Sequence, residues 1–137
     1  MSRESFEKRR EQLAKALDKL KISLRLDENS SNRPEEERDA FKDSVIQRFE
    51  FTYELSWKTL KAWLSTQGME ISYPKQALAQ AFAGALISDE SGWSELVEAR
   101  NDTSHTYDHE KALAVLALVR AKGISLFDEL MANLNSK

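Results

Sequence analysis

From Arg100 to Tyr107 the chain reads Arg-Asn-Asp-Thr-Ser-His-Thr-Tyr, which sets a permanent cation, a carboxamide, hydroxyls, an imidazole and a phenol within two helical turns. That grouping suits phosphate chemistry. An arginine offers a fork of donors to phosphate oxygens, a histidine ring can move a proton near neutral pH, and a phenol can accept a transferred group. The same residues also have a purely structural reading, in which Arg100 pairs with Glu98 or Asp102, His105 is a polar helix cap and Tyr107 is a half-buried packing residue. Spacing alone leaves both readings open.

Other reactive chemistry is scarce. Cysteine is absent, which excludes a disulfide framework, a thiolate nucleophile and zinc sites built on thiolates. The only imidazoles, His105 and His109, stand four residues apart beside Asp108. That is metal-ligand spacing, but the H-E-x-x-H pattern is missing and Asp108 serves better as a helix cap, so no metal and no cofactor are expected. Gly68, Gly84, Gly92 and Gly123 are the only glycines and are not clustered, so glycine-rich phosphate loops are excluded. Glu50 and Glu54 lie one turn apart and could form an acid and base couple. Salt-bridge spacing instead pairs Glu54 with Lys58, leaving Glu50 to orient Arg100 if their two helices face each other. Trp57, Trp63 and Trp93 fall on apolar stripes and are expected in the core, base stacking being the other use of an indole.

The elements that must position these residues are helical. With four glycines and two prolines in 137 residues, the chain lacks the frequent turn signals of an all-β fold. Phe6, Leu13, Leu17, Leu20 and Leu24 step by 7, 4, 3 and 4, which predicts a helix over Arg3 to Leu26. After the polar stretch Asp27 to Arg33, Pro34 is expected at a first helical position, with Glu35, Glu36 and Glu37 at the positive end of the dipole. This second helix should run to about Gln67 with Gly68 just past its end. It carries a main stripe through Ile46, Phe49, Tyr53, Trp57, Leu60 and Leu64, a second through Phe51, Leu55 and Ala62, and a flanking group of Phe41, Val45 and Trp63. Gln47, Glu50, Glu54, Lys58 and Lys61 form its one clearly polar strip. A helix apolar on several sides must be covered on several sides, and a homodimer interface along it is expected.

Ser72-Tyr73-Pro74 starts a short third helix with Ala77, Leu78, Ala81, Phe82 and Ala85 on its apolar face. A break at Ile87 to Ser91 precedes a helix from Gly92 to about Asn101. Asp102 to Tyr107 favours a turn, because its side chains compete for backbone hydrogen bonds. Asp108 then caps a last helix from about His109 to Leu134, apolar through Leu113, Leu116, Val119, Leu126, Phe127 and Leu130, with Gly123 as its weak point.

The length fits one domain, residues 1–137, burying roughly two-thirds of its unfolded-chain surface. Hydrophobic residues at 41% and charged residues at 31% describe a folded, soluble protein. A polar start from Met1 to Arg10, and no apolar run near the roughly 18 residues of a membrane span, point to a cytoplasmic protein without a membrane partner. A formal charge of -3 means that any RNA contact must be local.

Arg100, His105 and Tyr107 reproduce the R-x4-H-x-Y motif of HEPN-domain proteins, the helical partners of minimal nucleotidyltransferases. Asp43 to Lys61 (DSVIQRFEFTYELSWKTLK) resembles that family's second-helix signature, and Trp93 to Glu110 (WSELVEARNDTSHTYDHE) resembles the helix entering its motif. The resemblance implies an all-α, up-and-down bundle of four or five helices that forms a homodimer and brings two motif copies together. It further implies metal-independent RNA cleavage, with Arg100 neutralising the scissile phosphate, His105 as general acid or base, and Asn101 orienting one of them. A nucleotidyltransferase partner would silence such a toxin by adding AMP to Tyr107. Other family members are substrate-binding subunits of two-protein nucleotidyltransferases, and there Arg100, Asn101 and Tyr107 would hold a substrate beside the catalytic partner.

Overall fold

The computed structural model describes residues 3–105 and 107–137, and the motif's Thr106 lies outside them, as do Met1 and Ser2. Among the described residues there are helices and no strands, in an up-and-down bundle. α1 (Arg3–Glu28) and α2 (Glu35–Thr66) form its spine. They run antiparallel, with the Phe6 and Trp63 rings 5.2 Å apart near one end and the Ser23 and Ser44 hydroxyls 3.1 Å apart near the other. α3 (Pro74–Ala83) and α4 (Glu90–Asp102) return along α2, and a last rod closes the bundle. That rod comprises α5 (His109–Leu118), a π turn at Val119–Gly123 and α6 (Ile124–Asn135).

The α1 stripe is buried as its spacing requires, with Phe6, Leu13 and Leu20 fully enclosed. On α2 the main stripe faces inward, Phe49 and Leu60 completely, while Trp57 is half-buried. Three polar residues share the interior of α2. Thr52, Ser56 and Thr59 are wholly buried, and each hydroxyl donates to the carbonyl four residues earlier, at 2.8, 2.7 and 2.6 Å. Satisfied by their own helix, they avoid the penalty of an unpaired buried hydroxyl. The second stripe divides: Ala62 is buried, Leu55 partly so, and Phe51 remains 57% exposed. Trp93 is the only fully enclosed tryptophan, its ring edge-on to Phe127 at 5.7 Å. Leu113, expected inside, is exposed, because α5 turns only Val115 and Leu116 into the core.

Boundaries shift where a side chain supplies a partner that spacing cannot show. Asp27 and Glu28, expected in the loop, continue α1. Asp27 is buried there, accepting Lys42 Nζ at 2.9 Å and Arg120 Nη2 at 2.8 Å, while Arg120 Nε reaches Glu28 at 3.2 Å. Pro34 is the residue before the helix, not its first: its ψ of 150° is extended, and its carbonyl accepts the Arg38 N–H at 3.0 Å. Gly68 sits past the α2 end at φ +84°, a conformation suited to glycine. α4 begins two residues before Gly92, because the Asp89 carboxylate accepts the Gly92 N–H at 2.9 Å. A side chain at Gly92 would collide with that carboxylate and come within 3.1 Å of Leu126 Cδ1. The π turn replaces the weak point anticipated at Gly123, and from it Arg120 reaches α1 while Lys122 reaches Glu95 on α4 at 2.8 Å.

Asp27 therefore ties α1, α2 and the last rod at one point. Asp27→Ala should leave Lys42 without its partner and Arg120 with Glu28 alone, and lower stability by about 1–3 kcal/mol, read as a fall in the urea midpoint with an unchanged slope.

Candidate functional site

The last turn of α4 delivers Arg100 toward α2, and the short 3-10 turn Thr103–His105 carries the chain past it. Thr103 makes this junction rigid. It is buried, its hydroxyl donates to the Arg100 carbonyl at 2.6 Å, and the same oxygen accepts Arg100 Nη1 at 3.0 Å. Across the helix interface, Glu50 Oε2 lies 3.1 Å from Arg100 Nη1 and 3.2 Å from Thr103 Oγ1. Glu50, expected to orient Arg100 if the two helices face each other, thus stands against it from the facing helix.

Glu54 differs from its expected pairing with Lys58. Its carboxylate is 3.5 Å from Arg100 Nε and accepts the Trp57 indole N–H at 3.1 Å. A buried Nε and a half-buried indole gain more from a carboxylate than a hydrated lysine would. At 3.5 Å the Nε contact is an ion contact and not a hydrogen bond. None of these contacts uses Arg100 Nη2. Neither Glu98 nor Asp102, the partners of the structural reading, is the acid that holds Arg100.

His105 and Tyr107 lie at the solvent edge. Tyr107 is 87% exposed, which removes its reading as a half-buried packing residue. Its hydroxyl is 3.5 Å from His105 Nδ1, with the rings nearly perpendicular at 6.0 Å between centroids. Asp108 caps α5 as expected, its carboxylate accepting the Glu110 and Lys111 N–H groups at 3.0 and 3.4 Å. Its own N–H donates to the His105 carbonyl at 2.9 Å. Asn101 is exposed beside the motif, and its carboxamide has no hydrogen bond to Arg100 or His105 among the described residues. The side chain that does bond Arg100 is Thr103, which spacing did not single out.

Arg100, Asn101 and His105 border one open depression of about 520 Å³, together with Tyr53, Glu54, Pro74 and Ser104. Asn101 also borders a groove of about 490 Å³ between α3 and α4, walled by Leu78, Phe82, Trp93 and Val97. Tyr53 is the other residue that spacing assigned only to the core. Its phenol is held above the ordinary tyrosine range, first by burial and then by the Glu54 charge, with Arg100 opposing. Among the described residues no group of three or more His, Cys, Asp or Glu side chains could hold a metal ion. What the arrangement offers is a fixed guanidinium, an accessible imidazole and an accessible phenol around open space.

Comparison with known proteins agrees with this architecture. The family described as nucleotidyltransferase substrate binding protein like matches residues 8–136. A Haemophilus influenzae protein named probable ribonuclease HepT is 41% identical over 87 residues, a stretch spanning 60% of this chain and 60% of that relative. A solved Haemophilus influenzae structure, described as the fold of a substrate binding domain of a nucleotidyltransferase, superposes with a TM-score of 0.84 at 30% identity, covering 92% of this chain and 98% of the other. A Thermus thermophilus crystal structure gives a TM-score of 0.68 at 28% identity, over 90% and 96%.

A raised Tyr53 pKa keeps the folded chain protonated where the unfolded chain ionises, so this residue's contribution to stability is present below about pH 10 and is lost above it. Tyr53→Phe should lessen the alkaline fall in the midpoint of thermal unfolding while leaving the profile near neutrality flat.

Proposed function

The chain belongs to the nucleotidyltransferase substrate binding protein like family, and on that premise we propose that it is the cytoplasmic, homodimeric partner of a minimal nucleotidyltransferase and a metal-independent ribonuclease toxin. The observation that carries this reading is the placing of Tyr107, 87% exposed, with its hydroxyl 3.5 Å from His105, the residue that ends the short turn following Arg100. A phenol so placed is open to an incoming enzyme, and a nucleotide attached there would stand over the histidine.

In cleavage, the ribose 2′-hydroxyl attacks the adjacent phosphorus, its proton leaving to a base, and the 5′-oxygen departs with a proton from an acid. The products are a 2′,3′-cyclic phosphate and a 5′-hydroxyl. His105 serves one of the two proton transfers, and Arg100 stabilises the charge that builds on the phosphate oxygens. Glu50 and Thr103 act through Arg100 by fixing its direction, and Asn101 contacts the substrate at the rim. In silencing, the Tyr107 oxygen attacks the α-phosphorus of ATP held by the partner; pyrophosphate leaves and the phenol proton passes to solvent. The bulky anion then blocks the depression and repels RNA.

One observation favours the second reading, a non-catalytic substrate-binding subunit. Arg100 faces two carboxylates, so its neighbourhood does not attract an anion by net charge, and a substrate presented by the partner would not depend on such attraction.

The test is incubation with total tRNA and no added metal, after mass spectrometry has shown Tyr107 free of adduct. Unmodified wild type should cut. Arg100→Ala and His105→Ala should lose roughly 100-fold or more in rate with unchanged helical content. Cleavage retained by both variants, or absent in the wild type, overturns the ribonuclease assignment, and the latter result supports the substrate-binding subunit. Tyr107→Phe should cut yet stay active when the partner and ATP are added, whereas the wild type should be silenced and gain one AMP.

A further inference from the structure

The protein carries a net negative charge, but its cations are not evenly spread. Arg9, Gln12, Ala16 and Lys19 follow one another at helical spacing along one edge of α1, and Arg48, Phe51, Leu55 and Lys58 do so along one edge of α2. The two edges border the same seam, which holds two depressions. One, of about 420 Å³, is bordered by Lys15, Lys19 and Arg48 around Phe51 and Leu55. The other, of about 100 Å³, is formed by Arg9, Lys58 and Lys61 around Trp57.

Neither depression is bordered by an aspartate or glutamate. Among the described residues, none of these six cations has a carboxylate partner, whereas Lys21, Lys42, Arg120 and Lys122 each do. Unpaired cations in a row, with the exposed ring of Phe51 and the half-buried indole of Trp57 between them, are the components that hold a single-stranded nucleic acid: charge follows the backbone and rings stack on bases. From Arg48 to Lys61 the row extends about 20 Å. Its Trp57 end adjoins the motif, since the indole donates to Glu54, which also faces Arg100.

We propose that the α1–α2 seam is a binding track for single-stranded RNA, holding the strand that flanks the bond presented to Arg100 and His105. This rests on the ribonuclease reading and supplies what the motif itself lacks, an attraction for a polyanion where Arg100 is already faced by two acids. A second copy is a poorer occupant, because a two-fold contact through the seam would set these like charges against one another.

The probe is a fluorescein-labelled single-stranded 2′-O-methyl oligouridylate, which the 2′-hydroxyl mechanism cannot cleave, titrated by anisotropy against the full chain at several salt concentrations. Lys58→Gln with Lys61→Gln should reduce the salt slope by about 1.4, and Phe51→Ala should weaken binding roughly tenfold. Circular dichroism checks that these surface variants remain helical. An affinity and slope unchanged in both variants overturn the proposal, as does a wild type that fails to bind. A change in oligomeric mass on light scattering, with RNA affinity preserved, overturns it in favour of an interface between copies. If the wild type binds the probe through the seam but does not cut tRNA, the track stands and the ribonuclease reading fails. If wild type and seam variants bind and cut alike, that reading stands and the track fails.

Discussion

A helix apolar on more than one side cannot persist in water without neighbours on those sides, and α2 imposes that constraint on the whole molecule. α1 covers it along most of its length, α3 and α4 cover another side, and the last rod closes the remainder. The buried side of α2 contains small polar residues as well as large apolar ones. Thr52, Ser56 and Thr59 occupy little space and return their hydroxyl hydrogens to α2 itself, so these three buried hydroxyls carry no unmet demand. Because α2 is central, its partly exposed edges each meet a different neighbour: Glu50 and Glu54 face the motif, and Arg48, Phe51 and Lys58 face the α1 seam.

The electrostatics of the motif follow from that placement. Arg100 is aligned by Glu50 and Thr103 and approached by Glu54. With all three charged side chains about a third exposed, such pairs add little stability, so their effect is on direction. The arrangement keeps a guanidinium in one position while offsetting its long-range attraction for anions. On the ribonuclease reading proposed above, such a site would select by geometry and would need another surface to gather its substrate. The seam between α1 and α2 is where, among the described residues, cations without a carboxylate partner collect on a protein of net negative charge.

Much of the helical order was legible, because burial along a helix leaves a period in the sequence. The α1 stripe, the Gly68 stop, the Pro74 start and the Asp108 cap all appear where their residue types require them. Arg100, His105 and Tyr107 were legible as a group because the turn that joins them is local. Less visible were residues whose partners lie far along the chain. Asp27 looked like a loop residue until Lys42 and Arg120 met it, and Glu54 looked like half of a local pair until Arg100 came within reach. Tyr53 read as core because its stripe is core, although it also borders the motif's depression. Thr103 carried one faint signal, a hydroxyl three residues beyond Arg100 and able to bond back to its carbonyl.

By itself, then, the sequence determined the order of the helices, most of their buried stripes and the local grouping of Arg100, His105 and Tyr107, since periodicity, capping and short turns involve residues only a few positions apart. The tertiary structure decided which acids face Arg100, how far Tyr107 stands in solvent, where the π turn aims Arg120, and that scattered lysines and arginines of α1 and α2 share one seam. Those outcomes depend on how separate helices are rotated and set against one another, and that is settled by the packing of the whole core.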